Sequence, residues 1–456
     1  MPSEVKLKVL KHSRRPISIS RLIALSFLGI ILLGTLLLDL PISSRSGQSA
    51  GVMTSLFTAT SATCVTGLIL RDTYSQWSAF GQAVILLMIE IGGLGIMSAA
   101  SMTVFFLRRR FGMRSQMLMA ESIGASMGDV VEHQKKLLIR AFAVEGIGAL
   151  ILTLRFLAEY PLGKALSLGV FHSISAFCNA GFDILGFRKP GASLTIYQTD
   201  PVILLTLSLL IIIGGLGFLV WDDVLNFRIH RRWSVYTRLV VITTGILLLG
   251  GAALFCLLEW NNPATLGNMH PADKILAGFF QSVTLRTAGF AGVDQGFLTA
   301  AGKGLSIFLM LIGGSSGSTA GGLKTVTFVV LILFVWNRMR GRYTVSVFHR
   351  TISDDHVINA ITLFIVMVSL SFFGAILISA TAEVGFTDAL YETVSAIGTV
   401  GLTTGITPRL HPVAKVMIII FMYFGRVGIL TLSIGFLKKK PAGEKFRFAN
   451  TELLIG

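Results

Sequence analysis

The chain has 456 residues, of which 53% are hydrophobic and only 14% charged, and its mean hydropathy is +0.75. A soluble domain carries roughly 25% charged residues, so this composition excludes a water-soluble globular protein and places the chain in a bilayer. The formal net charge of +16 raises nucleic acid as a partner, but no soluble domain mixing bases with aromatic residues is present to bind one.

The predicted elements repeat one pattern four times: membrane helix, short re-entrant helix, extended turn, membrane helix. Unit one reads Ser18–Leu38, Gly51–Ala62, Thr63–Leu68 and Trp77–Leu107. Its first run is too long for the apolar region of a signal peptide, and Leu38-Asp39-Leu40-Pro41 is not a small-residue cleavage site. Unit two reads Gln134–Leu157, Lys164–Ala176, Phe177–Phe182 and Asp200–Val224. Unit three reads Tyr236–Leu258, Pro271–Val283, Leu285–Phe290 and Gly302–Trp336. Unit four reads Val357–Ala382, Thr387–Ile397, Gly398–Leu402 and Pro412–Leu437. The short helices have about half the length a span requires, so they enter the membrane and turn back.

The turn glycines Gly67, Gly181, Gly289 and Gly401 lie 114, 108 and 112 residues apart, and a fixed period means one unit used repeatedly. The repeats divide the chain at 1–107, 108–227, 228–343 and 344–456, the last ending in a cytoplasmic tail. The fold class is an all-α polytopic membrane protein with eight transmembrane helices in pseudo-fourfold arrangement around one pore. Basic clusters at Lys6–Arg15, Arg108–Arg110, Arg228–Arg232, Arg338–Arg342 and Lys438–Lys440 lie before the first span or just after the second long helix of a unit. That is the positive-inside pattern with both termini cytoplasmic and the turns facing out.

Four glycine-bearing turns around an axis suit an ion selectivity filter, where backbone carbonyls replace the water shell of a dehydrating cation. Glycine adopts the required backbone conformations without strain, and the short helices would aim their partially negative C-terminal ends at the pore. The candidate filter residues are Cys64, Val65, Thr66 and Gly67; Cys178, Asn179, Ala180 and Gly181; Thr287, Ala288 and Gly289; and Thr399, Val400 and Gly401.

A second glycine cluster follows each turn: Gly92-Gly93-Leu94-Gly95, Gly214-Gly215-Leu216-Gly217, Gly313-Gly314 and Gly425-Arg426-Val427-Gly428. In unit three it opens a run of Gly313, Gly314, Ser315, Ser316, Gly317, Ser318, Thr319, Ala320, Gly321 and Gly322, closed by Leu323 and Lys324. Such a run is a poor helix. Two overlapping GxxxG patterns would suit tight helix packing, but the hydroxyl residues favour a wet cavity. An irregular loop lining the pore is expected, since bare backbone must avoid lipid. Arg426 sits at the matching level in unit four. There it would act as an electrostatic barrier, as an anchor for loop carbonyls, or as an ion-pair partner of Glu90 or Glu145.

Other motifs point away from chemistry. Cys64, Cys178 and Cys256 lack metal or redox spacing and read as small packing residues. The histidines contain no HExxH pair, and in Gly317–Thr325 Leu323 intrudes before Lys324, which breaks a phosphate-binding loop. Asp72, Asp183 and Asp294 follow the filter glycines closely enough to concentrate cations at the mouth.

On the four turns, Ser61–Gly67, Arg286–Phe290 and the Gly313–Leu323 run, the whole chain resembles the Trk/Ktr/HKT superfamily of potassium transporters. It is most similar to the membrane subunits of bacterial Ktr systems, since no two extra helices precede unit one. The resemblance implies K+ as the transported ion, uptake by a homodimer in the bacterial cytoplasmic membrane, and a cytosolic KtrA-like ring that binds ATP or ADP. It makes the unit-three loop, with Lys324 and Arg426, the gate. Sodium activation is compatible with it, and no organic cofactor is expected in this chain. No polar stretch is long enough for a nucleotide-binding domain, the longest being Arg108–Lys136 and Asn337–His356, so ligand control would come from a partner docked on such loops. The alternative is a cation-coupled secondary transporter with alternating access, coupled to Na+ or H+. A membrane enzyme would need convergent acid, base or metal residues within the spans, and the sequence shows none.

Overall fold

A computed structural model of the chain describes residues 19–95, 130–227 and 231–428. The basic clusters at Lys6–Arg15, Arg108–Arg110 and Lys438–Lys440 lie outside these residues, as do the ends expected for the second helices of units one and four.

Each unit begins with a long apolar helix: α1 (Ile19–Asp39), α4 (Val130–Phe156), α8 (Val235–Glu259) and α12 (Asp354–Thr381). All four are long and apolar enough to cross a membrane. The short helices follow as α2 (Val52–Thr63), α5 (Leu162–Phe177), α9 (Pro271–Thr284) and α13 (Phe386–Gly398). The second helices are α3 (Ala79–Leu94), α6 (Pro201–Leu216) continued by α7 (Phe218–Leu225), α10 (Ala300–Leu311) continued by α11 (Thr325–Met339), and α14 (Pro412–Val427). Their starts are fixed locally. Ser78, Asp200, Thr299 and His411 each accept a hydrogen bond from a first-turn backbone N–H. A two-residue hairpin (Ser346–Val347 with Arg350–Thr351) joins α11 to α12.

The second helix of unit two departs from the continuous span expected from hydropathy, while unit three is irregular where its hydroxyl-rich glycine run predicts. Unit two bends by 97° between α6 and α7, and unit three is split by Ile312–Lys324. The cause is backbone conformation at glycine. Gly95, Gly217 and Gly428 hold nearly the same positive φ of 86°, 88° and 90°, a region that stops a right-handed helix and that only glycine enters without strain. Hydropathy reports apolar content and is blind to this dihedral.

Packing is cyclic. The short helix of each unit touches the second helix of the unit before it: α5 with α3, α9 with α6, α13 with α10, and α2 with α14. Burial is inverted relative to a soluble protein. Leucines and isoleucines of the first helices are exposed, whereas Thr58, Ser61, Ser175, Gln281, Thr284, Glu392 and Ser395 on the short helices are buried. A lipid solvent produces this arrangement, because polar groups must find partners inside the bundle.

In units one, two and four, close approach depends on the first glycine of the second cluster. A Cβ on Gly92, Gly214 or Gly425 would collide with the last carbonyls of the short helix in its own unit, those of Thr63, Phe177 and Ile397. Gly214→Ala should therefore destabilise the protein by about 1–3 kcal/mol through overpacking, seen as a lower melting temperature in detergent. Gly29→Ala, in open space on α1, should leave the melting temperature unchanged or slightly raised.

Candidate functional site

Directly after each short helix the chain takes backbone angles of alternating sign. Val65, Asn179, Thr287 and Thr399 have φ of 55°, 57°, 65° and 51°; two residues later Gly67, Gly181, Gly289 and Gly401 have φ of 94°, 69°, 83° and 96°. Alternation of this kind turns successive carbonyls to one side of the chain. A β-branched residue at positive φ is strained by roughly 1–3 kcal/mol, so the surroundings must hold it. The main chain does so first: Thr66, Ala180 and Val400 donate N–H to the carbonyls of Ser61, Ser175 and Ser395 at 2.7–2.8 Å, and Ala288 donates to Thr284 at 3.0 Å. Hydroxyls finish the support. Ser61 and Ser395 accept from the N–H of Gly67 and Gly401 (3.0 and 3.1 Å), while Ser175 and Thr284 donate to the carbonyls of Phe182 and Phe290 (2.7 and 2.8 Å).

The four turns meet and close a ring. A Cβ on Gly67 would lie 2.6 Å from the Ala180 carbonyl oxygen. On Gly181 it would lie 2.7 Å from that of Ala288, and on Gly289 2.5 Å from that of Val400; on Gly401 it would collide with that of Thr66. Each glycine thus leaves room for the carbonyl of the next unit, and the fourth returns to the first. Cys64, Val65, Thr66, Cys178, Asn179, Ala180, Thr287, Ala288, Thr399 and Val400 are all buried around this ring. The hydroxyls of Thr66, Thr287 and Thr399 are buried without a hydrogen-bond partner among the described residues. The short helices α2, α5, α9 and α13 end here, so their C-terminal dipoles add negative potential. The arrangement offers oxygen ligands to a dehydrated cation.

Beneath the ring lies the Ile312–Lys324 loop. Its ends are tied together by Gly313 N–H to Leu323 O (2.8 Å) and Thr325 N–H to Gly314 O (3.1 Å). Its middle is fastened to unit two: Ser315 and Thr319 donate to the carbonyls of Gly215 and Gly214, and Phe218 N–H donates to Gly317 O. Ser316 O accepts from the Tyr236 hydroxyl at 2.8 Å, and Ser318 Oγ donates to Ser315 O at 2.6 Å. Lys324 Nζ donates to Ala320 O at 2.7 Å. Gly321 lies against the Thr399 hydroxyl and Gly322 beside the Gly398 carbonyl, directly under the unit-four turn.

Arg426 reaches this loop from unit four. Its guanidinium donates to Thr319 O and to the carbonyls of Gly92 and Gly93 (3.0 Å to Gly93). Of the three roles the sequence left open, the anchor for loop carbonyls is the one this geometry fits. No ion pair with Glu90 or Glu145 occurs among the described residues. Those two acids instead gather with the Cys178 thiol, their ligand atoms all within 4.8 Å of one another. Linear spacing had no means of showing this, because the three residues come from two units.

The acids near the mouth have local tasks. Asp72 accepts from Ser75 N–H (2.8 Å) and Gly191 N–H (3.2 Å), Asp183 from Leu185 N–H (3.0 Å), and Asp294 from Gly296 N–H (3.0 Å). Burial pushes the Asp183 carboxyl up to about 6. Sequence reasoning missed the supporting hydroxyls, although a Ser-Ala pair six residues before Gly67, Gly181 and Gly401 was the available signal. It also missed the contacts of Arg286, described below.

The chain matches the TrkH family, described as cation transport protein, over residues 17–448. It is 38% identical to the potassium/sodium uptake protein NtpJ of Enterococcus hirae, covering 98% of this chain and 99% of that protein. It is likewise 38% identical to the Ktr system potassium uptake protein B of Bacillus subtilis, over 96% of each. The fold is similar to the crystal structure of the potassium transporter TrkH from Vibrio parahaemolyticus, with a TM-score of 0.70 at 20% identity, covering 93% of this chain and 86% of that one.

The ring geometry yields a graded expectation. Serine at Gly67, Gly181, Gly289 or Gly401 should displace a neighbouring carbonyl and lower discrimination between K+ and Na+. Gly401→Ser should be the most damaging, having the tightest approach and the largest φ. Flux of both ions into liposomes holding each variant measures this, and unchanged discrimination in all four would remove the ring from the ion path.

Proposed function

The chain belongs to the TrkH family of cation transport proteins, and we propose that it is the K+-translocating membrane subunit of a bacterial uptake system. The observation that carries this reading is the closed carbonyl ring. Four backbone turns from one chain converge on one axis, each terminated by a glycine that yields to its neighbour's oxygen. Relatives named for potassium uptake over nearly their whole length support the choice of ion. The Cys64–Gly67, Cys178–Gly181, Thr287–Gly289 and Thr399–Gly401 segments would be the selectivity filter, with K+ taken from outside.

In this reading the Ile312–Lys324 loop is the gate. It sits under the turn of unit four and is held by Lys324 within unit three and by Arg426 from unit four. A guanidinium keeps its charge when buried, so Arg426 both fastens the loop and opposes cations below the filter. The chain would work as a homodimer in the cytoplasmic membrane, termini inside, with a nucleotide-binding ring docked on its cytoplasmic face. Exposed Arg231 and Arg232 beside α8, Arg338 in the last turn of α11, and Arg340 and Arg342 after it offer basic surface on that side. The Enterococcus relative is named for sodium as well as potassium, so ion preference is the measurement that matters most. Selective K+ flux into liposomes containing the purified chain supports the reading. Flux that depends on a Na+ or H+ gradient would replace it with the coupled carrier.

The gate generates its own expectation. Deleting Ser315–Gly321, or Arg426→Ala alone, should raise K+ flux, and Arg426→Ala in the deleted background should add little because its acceptor in the loop, Thr319 O, is gone. The two singles and the double form a cycle whose coupling term isolates the contact. A charge-assisted hydrogen bond of about 1.5–3 kcal/mol corresponds to roughly a ten- to hundredfold coupling. Additive effects would make Arg426 independent of the loop.

A further inference from the structure

Arg286 breaks the fourfold pattern. It stands three residues before its turn glycine, where the other units have Cys64, Cys178 and Gly398. Its side chain is only 8% exposed, and no ion pair holds it among the described residues. A buried guanidinium without a counter-charge is costly unless its donors are satisfied. Here Nη2 donates to Gly313 O at 3.2 Å and to Thr325 Oγ1 at 3.0 Å, and Thr325 Oγ1 donates in turn to Gly313 O at 3.0 Å. Gly313 opens the loop and Thr325 begins the helix after it. One side chain, rooted beside the filter, therefore knots both ends of the loop to the filter.

The knot leaves one donor idle. Arg286 Nε has no hydrogen-bond partner among the described residues. Arg286 also borders a cavity no larger than about one water, lined in part by Asn179, Thr244, Leu248 and Gly314. Thr244, whose hydroxyl is likewise unpartnered, is a ready acceptor there.

We propose that Arg286 is a positioning residue that latches the base of the intramembrane loop to the unit-three filter turn and so sets how readily the loop leaves the ion path. Arg426 fastens the middle of the loop from unit four, and Arg286 fastens its two ends from unit three. The proposal rests on the reading of this loop as the gate.

The test is K+ flux into liposomes holding the full chain, measured against K+ concentration for Arg286→Gln, Arg286→Lys and Thr325→Val. A latch predicts maximal flux raised about three- to tenfold for Arg286→Gln with half-saturation and K+/Na+ discrimination unchanged. Thr325→Val should show a smaller rise in the same direction and Arg286→Lys a partial one, and combining Arg286→Gln with Thr325→Val should give less than the product of the singles. In the Ser315–Gly321 deletion, Arg286→Gln should change nothing further. If Arg286→Gln instead shifts half-saturation or discrimination, the residue shapes the filter and the latch is wrong. Unchanged flux in both Arg286→Gln and Thr325→Val, with only a lower melting temperature, would equally overturn it. Should the loop deletion itself leave flux unaltered, it is the gate reading that fails. Should Arg286→Gln not fold, Thr325→Val decides alone.

Discussion

The molecule is organised around one contact, the approach of each turn glycine to the carbonyl of the next unit. Within a bilayer a carbonyl left outside the helical ladder must find its partner in protein, because lipid offers it nothing. The only way to keep four such carbonyls at one depth is to surround them with protein and let each turn brace the next. That explains the absence of a Cβ at Gly67, Gly181, Gly289 and Gly401, where any side chain would occupy the neighbour's oxygen. It also explains the strained residues two positions earlier, held by the serine and threonine hydroxyls at the ends of the short helices.

Around this ring the fold is nearly symmetric, and the departures from symmetry gather at one loop. Three units place glycine or cysteine where unit three has Arg286, and three place glycine where unit four has Arg426. Both guanidiniums converge on the one second helix that has been opened into a loop. A symmetric ring supplies equivalent ligands to an ion on the axis. In the proposed gate reading the loop is a movable obstruction, and a single loop must be grasped from particular sides. Arginine suits that grasp, because it donates several hydrogen bonds to backbone carbonyls without changing its charge.

The bend at Gly217 ties this loop to α7 and α8. Phe218, the first residue of α7, donates to Gly317 O, while Tyr236 on α8 donates to Ser316 O. The middle of α7 is held by Arg140 to Asp222 at 2.6 Å. A displacement of α7 would therefore be felt at the loop, through contiguous hydrogen bonds and not through the filter.

Much of the architecture was legible in the sequence because the forces that set it are local or periodic. Span length and apolar content locate α1, α4, α8 and α12 to within a few residues, the recurring glycines mark the four turns, and the hydroxyl-rich glycine run of unit three cannot persist as helix. Which groups meet was decided only in three dimensions. Arg426 finds Gly92 and Thr319, 334 and 107 residues away, and Arg286 finds Thr325, 39 residues away. Glu90 and Glu145 of different units come together at Cys178. The physical reason is that a guanidinium or carboxylate in the bilayer must be satisfied, which makes a partner necessary without naming it. The closure of four units around an axis chooses that partner, and a linear pattern records the need but not the geometry that meets it.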